Sequence, residues 1–145
     1  MTEPSPPSIG EHPQLRLLVV DDTPAIRQHL AQLLRHRCRA LVVEAENGVQ
    51  ALKRMREHVF ALMVTDVNMP LLDGLKLTNL VRQDHVHRRI PILVMTTEAS
   101  QADRSRALAM GASDYLKKPA HDDDVVRRVQ ALLAQHGAGP GGIGP

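Results

Sequence analysis

The stretch Ala61-Leu62-Met63-Val64-Thr65-Asp66-Val67-Asn68-Met69-Pro70 decides the fold. Its opening run is apolar at successive positions rather than at every second one, which is how a strand covered on both faces reads. An aspartate stands where the apolar run stops, and a proline marks the connection beyond it. Four similar runs flank this one, at Leu15–Val20, Ala40–Ala45, Ile90–Met95 and Asp114–Lys117. The last is short and polar, as suits an edge strand.

Between the runs the apolar period becomes helical. Thr23-Pro24 reads as an N-cap followed by proline at the first helical position, with Ile26, Leu30, Leu33 and Leu34 as the stripe. Asn47 caps a second helix carrying Val49, Leu52 and Met55. Leu75, Leu77, Leu80 and Val81 mark a third. Ser100 caps a fourth, with Asp103 near its start and Leu108 and Met110 facing inward. Asp122, Asp123 and Asp124 suit the positive end of a fifth, which continues through Val125, Val126, Val129, Leu132 and Leu133 towards a stop at Gly137. Five strands each followed by a helix predict an α/β fold: an open, parallel, five-stranded sheet with helices on both faces and right-handed crossovers. Ligands of such sheets gather outside the carboxyl ends of the strands.

Composition narrows the function. The 145 residues suffice for one core, and 43% apolar against 23% charged residues is a globular balance. The 18 Lys and Arg against 16 Asp and Glu leave +2, too little to argue for nucleic acid. Phe60 and Tyr115 are the only aromatic residues besides histidine, so there is no stacking platform for single strands. Cys38 has no internal partner, which excludes a disulfide scaffold. No apolar run approaches the roughly 18 residues that span a bilayer, and the first residues lack the basic start and apolar stretch of a signal peptide. These features predict a cytoplasmic domain without membrane insertion. Proline and glycine cluster at both ends, so Met1–Gln14 and Gly137–Pro145 read as flexible tails around a folded unit at Leu15–His136.

The strand ends carry Asp21 and Asp22, then Asp66, then Thr96 with Glu98 beyond it, then Lys118-Pro119. Singly, each has an ordinary reading as a cap, a turn former, a strand residue or a solvated lysine. Jointly, they need a cation. Two like charges about 4 Å apart repel by about 4 kcal/mol at an effective dielectric near 20. Carboxylates with a backbone carbonyl form a hard-oxygen site that favours Mg²⁺ over zinc or copper. Beside Mg²⁺ and a lysine, a carboxylate becomes a nucleophile towards phosphorus, and Asp66 in the middle of the set is the natural acceptor. His85-Val86-His87, among Arg82, Arg88 and Arg89, reads as a solvated loop rather than a ligand pair.

In this order and spacing the chain resembles the receiver domain of two-component response regulators, in its single-domain CheY-like form. Val19-Val20-Asp21-Asp22, Thr65-Asp66-Val67-Asn68-Met69-Pro70 with Asp73-Gly74, Thr96, Gly111-Ala112-Ser113-Asp114-Tyr115 and Lys118-Pro119 carry the resemblance, which covers Leu15 to about Gln135. It implies the flavodoxin-like strand order 2-1-3-4-5. Asp66 is then the phosphoacceptor, served by a histidine kinase, and Asp21, Asp22, Asp66 and the backbone carbonyl of Asn68 bind Mg²⁺. Lys118 is the family's lysine, preceding a cis proline. Thr96 moves towards the phosphoryl group and vacates space into which Tyr115 turns, which reshapes the face of the fourth helix, fifth strand and fifth helix for a downstream protein. Asn68 and Glu98, two residues after Asp66 and Thr96, tune autodephosphorylation by orienting or excluding water.

Thr97, Lys117 and Ala120 depart from the family, which has small, aliphatic and phenylalanine residues there. Lys117 joins Arg104, Arg106, Arg127 and Arg128 on a face that reads as basic, either suited to an acidic partner or simply solvated. Nine residues after His136 are too few for a helix-turn-helix, so direct DNA binding is not expected. The alternative is a receiver-fold interaction module that works without phosphorylation. A flavodoxin-like binder fits poorly because Asp21 and Asp22 would repel a bare phosphate, and aspartate-dependent phosphohydrolases typically space their first two aspartates one residue apart.

Overall fold

The computed structural model describes residues 14–97 and 101–136. Along the chain run β1 (Arg16–Val20), α1 (Pro24–Cys38), β2 (Leu41–Ala45), α2 (Gly48–Glu57), β3 (Leu62–Asp66), α3 (Gly74–Val81), β4 (Ile92–Thr96), α4 (Gln101–Ala109), β5 (Asp114–Lys117) and α5 (Asp122–Gln135). The strands form one parallel sheet in the order β2-β1-β3-β4-β5. Strand parity sorts the core into two aliphatic layers. Leu17, Val19, Val64, Leu93 and Met95 pack with Leu30 and Leu34 of α1 and Val125 and Val129 of α5. Leu18, Val20, Met63 and Val94 face the other way, onto Ala51 and Met55 of α2, Leu75, Leu77 and Val81 of α3, and Ala107 of α4. The expected fold class and strand order are both present.

Helix starts follow the sequence with one exception. Asn47 Oδ1 accepts from the Gln50 amide at 2.8 Å, and Asp73 Oδ1 caps α3 by accepting from the amides of Leu75 and Lys76, each at 2.9 Å. Thr23 is the N-cap of α1, but its side chain makes no capping bond; its amide instead donates to Asp21 Oδ1 at 2.9 Å. The reversal ties the start of α1 to the end of β1. The expected cap Ser100, the stop at Gly137 and the two tails (Gln14 apart) lie outside the described residues.

Four apolar residues assigned to helix interiors are exposed: Ile26, Val49, Leu80 and Leu108. Ala31, Ala51 and Ala107 are buried. In α1, α2 and α4 the buried face includes these alanines, which let backbone approach sheet, so a stripe drawn through the largest side chains is rotated off its true axis.

The reading of residues 85–87 as a solvated loop is wrong at His87, which is 0% exposed. Its Nε2 accepts from the Phe60 amide at 3.0 Å, so the ring proton sits on Nδ1 and donates to Asp84 Oδ2 at 3.0 Å. Arg82 also turns inward, donating to the carbonyls of Gly111, Arg88 and Ile90 at 2.9, 3.0 and 2.6 Å. The α3–β4 connection is therefore pegged down by its polar residues. His85 and Val86 stay exposed, as expected.

Candidate functional site

Parallel pairing carries every strand's carboxyl end to one edge of the sheet. Because β1 and β3 are neighbours, with Val20 paired to Thr65, Asp21 and Asp66 emerge side by side. Lys118 arrives from β5 by way of a cis Lys118–Pro119 peptide, the isomer the resemblance implied. Its Nζ lies 2.8 Å from Asp21 Oδ2 and 3.3 Å from Asp66 Oδ1. Asp21 is 1% exposed and held on all sides. Its amide donates to the Ala45 carbonyl at 3.1 Å, Oδ1 accepts from Thr23, and Oδ2 from Lys118. Asp22 faces solvent.

One carboxylate oxygen from each of Asp21, Asp22 and Asp66 lies within 4.8 Å of the others. Lys118 is the only cation paired with them among the described residues, so the notch keeps excess negative charge. Burial pushes the Asp66 carboxyl above the usual carboxylate range; Lys118 pulls it back, and Asp21 pushes it up again. Such a set could hold a divalent cation. In octahedral Mg²⁺ coordination, opposite oxygens stand about 4.2 Å apart, close to the spread here, and every donor is a hard oxygen. The residues fit magnesium.

The family model described as response regulator receiver domain matches residues 17–130. This chain belongs to the response regulator receiver family.

Chemotaxis protein CheY1 of Helicobacter pylori strain J99 is 33% identical over 120 residues, covering 82% of this receiver and 97% of that protein. The transcriptional regulatory protein PhoP of Escherichia coli is 34% identical over 122 residues, but this receiver spans only 53% of it. Among solved structures, chemotaxis protein CheY4 of Vibrio cholerae superposes with a TM-score of 0.79 at 30% identity, covering 83% of this receiver and all of that chain. The receiver domain of the sensor histidine kinase PA1611 of Pseudomonas aeruginosa gives 0.76 at 29% identity, covering 84% and 99%; that structure has a magnesium ion coordinated in its active-site cleft.

Beside the notch, this receiver has a recess of about 50 Å³ lined by Val67, Asn68, Leu75, Thr96, Asp103, Arg106 and Tyr115. Thr96 ends β4 and is 1% exposed, while Asn68 lies in the exposed loop after β3. Tyr115 is 5% exposed and packs in the second core layer. The expectation that this tyrosine turns inward therefore meets a ring that is already inside. Glu98 lies outside the described residues.

The face read as basic is partly neutralised by its own acids. Arg128 Nη1 donates to Asp114 Oδ1 and Oδ2 at 2.9 and 3.1 Å, Arg127 pairs with Asp124, and Arg106 lies 3.9 Å from Asp103. Lys117 and Arg104 remain exposed. A residue the sequence did not single out also reaches the notch: Arg27 Nη1 donates to the Asp21 carbonyl at 3.1 Å. The available signal was its place in the first turn of α1, where the helix dipole disfavours a cation.

Proposed function

We propose that Leu15–His136 is a phosphorylation-controlled receiver that takes a phosphoryl group on Asp66 from the phosphohistidine of a histidine kinase. The observation that carries this is the placement of Asp66 against Lys118 and within reach of two further carboxylates. Asp21, Asp22, Asp66 and the backbone carbonyl of Asn68 would hold Mg²⁺, which when bound neutralises charge on the transferring phosphoryl oxygens. An Asp66 oxygen forms the new bond to phosphorus as the bond to the donor's imidazole nitrogen breaks. Lys118 pairs with one phosphoryl oxygen, and the Thr96 hydroxyl donates to another. Asn68 and Glu98 set the lifetime by governing the approach of water.

The readout is a change in partner affinity. Thr96 and Tyr115 border the same recess, so a shift of the threonine alters the packing of an inward tyrosine and of α4 beside it. The downstream protein then reads the α4–β5–α5 face. Likeness to two chemotaxis proteins supports chemotaxis or motility as the setting, in the cytoplasm, with output through a protein rather than DNA. No helix among the described residues is long and apolar enough to cross a membrane.

Incubation with Mg²⁺ and acetyl phosphate tests the reading by mass spectrometry. A phosphoryl increment present in the native chain and lost in Asp66→Ala supports it. No increment in the native chain favours the phosphorylation-independent module. With the increment established, Asn68→Ala and Glu98→Ala should each change its decay several-fold; unchanged decay in both discards their tuning role.

A further inference from the structure

Arg27 sits where a helix is least hospitable to a cation, yet it is well ordered by its partners. Its side chain is only 13% exposed. Nε donates to Glu44 Oε1 at 3.0 Å, and Nη1 donates to the Asp21 carbonyl at 3.1 Å. Glu44 lies on β2 and is itself fixed: Arg35 Nη2 approaches its Oε2 at 3.6 Å while donating to the Val42 carbonyl at 2.9 Å. The Asp21 amide is bound to the same strand, through the Ala45 carbonyl. Both main-chain polar groups of Asp21 are thus anchored to β2, one directly and one through the guanidinium.

From this geometry we infer that Arg27, braced by Glu44, is a positioning residue that holds the β1–α1 turn and thereby sets the acidic notch's affinity for a divalent cation. The inference rests on reading the notch as a magnesium site. Asp22 depends on the brace most, since it faces solvent and takes its place from the backbone on either side. A guanidinium engages two acceptors from separate nitrogens of a rigid planar fork, whereas an ammonium must meet both from a single nitrogen and so cannot span acceptors spaced for the fork.

Charge and position predict opposite signs. By charge alone, Arg27 repels a dication, so removing it would tighten magnesium binding. As a brace, its removal loosens the notch and weakens binding. Arg27→Lys separates the two, because it keeps the charge and loses the fork.

The test uses the full chain and two readouts. Calorimetric titration with MgCl₂ should give a dissociation constant raised roughly tenfold in both Arg27→Ala and Arg27→Lys. In metal-free buffer, hydrogen exchange at the Asp21 and Thr23 amides should accelerate in both variants, while amides of β3 and β4 keep their protection. Tighter or unchanged magnesium binding in Arg27→Ala overturns the inference, as does unchanged exchange at Asp21 and Thr23 in both variants. A native chain that takes up no magnesium defeats the magnesium reading, and exchange at the turn then decides the brace by itself.

Discussion

Gly74 lies directly against the main chain of Asp66: a Cβ placed on it would stand 2.0 Å from the Asp66 carbonyl oxygen. The Gly74 amide also donates to the Val67 carbonyl at 2.9 Å, so α3 begins in contact with the turn that presents the aspartate. The glycine is required by proximity, and backbone on the other side leaves no flexible atom to yield. Gly74→Ala should destabilise by about 2–3 kcal/mol through overpacking and displace Asp66. Thermal unfolding reads the first effect, and loss of acetyl-phosphate labelling in the protein that remains folded reads the second.

Lys118 pairs with Asp21 and Asp66, so a metal held by those carboxylates would compete with its ammonium. Lys118→Ala should therefore bind Mg²⁺ more tightly than the native chain, by several-fold in a calorimetric titration. Its labelling by acetyl phosphate should nevertheless fall by at least about tenfold, because the phosphoryl group loses its ammonium partner. Parallel losses of metal affinity and labelling would remove Lys118 from the transfer itself.

Burial, more than Lys118 can offset, raises the Asp66 carboxyl above its unfolded value. A carboxylate disfavoured by the folded state makes the protein more stable as pH falls through the raised value towards the ordinary one, about 3.9. In metal-free buffer Asp66→Asn should melt above the native chain at pH 8, by a few degrees at most. That advantage should shrink as the pH falls through the raised value. An equal offset at every pH would show that Asp66 is not titrating in this way.

His87 and Asp84 invert that sign. Burial alone would raise Asp84, but the amide and ring of His87 and the amide of Val86 outweigh it and hold the carboxyl below the usual range. Its contribution to stability is present above its unfolded pKa and is lost as pH falls through the lower folded value. Asp84→Ala should flatten the acid end of a stability–pH curve. His87→Ala should cost about 2–4 kcal/mol, since it opens a cavity and strands the Phe60 amide. His87→Gln, whose side-chain oxygen can accept from that amide, should recover part of the loss in the same denaturation measurement.

What could be read from the chain was whatever is encoded locally. Runs such as Ala61–Thr65, the cap at Asn47 and the acidic first turn of α5 each declare themselves within a few residues, and together they place Asp21, Asp66 and Lys118 on one edge. What could not be read depends on partners distant in sequence. Nothing near His87 announces that an amide 27 residues earlier needs an acceptor, and nothing near Arg27 announces Glu44, 17 residues on. Helix phase was misjudged at Val49 and Leu108 because the small residues Ala51 and Ala107 carry weak hydrophobic weight yet make the closest contacts. The resemblance has Tyr115 turning inward on phosphorylation; that its ring is already buried depends on a core layer assembled from residues distant in sequence.

The parallel sheet also settles where the body can be handled. Every strand runs towards the carboxylates and every helix runs back, so Gln14 and His136 both sit at the pole remote from Asp66. A fluorophore or affinity handle coupled near either residue would leave the acidic notch at Asp21, Asp22 and Asp66 unobstructed. For a chain without tryptophan, that is the natural position for an optical reporter of its signalling state.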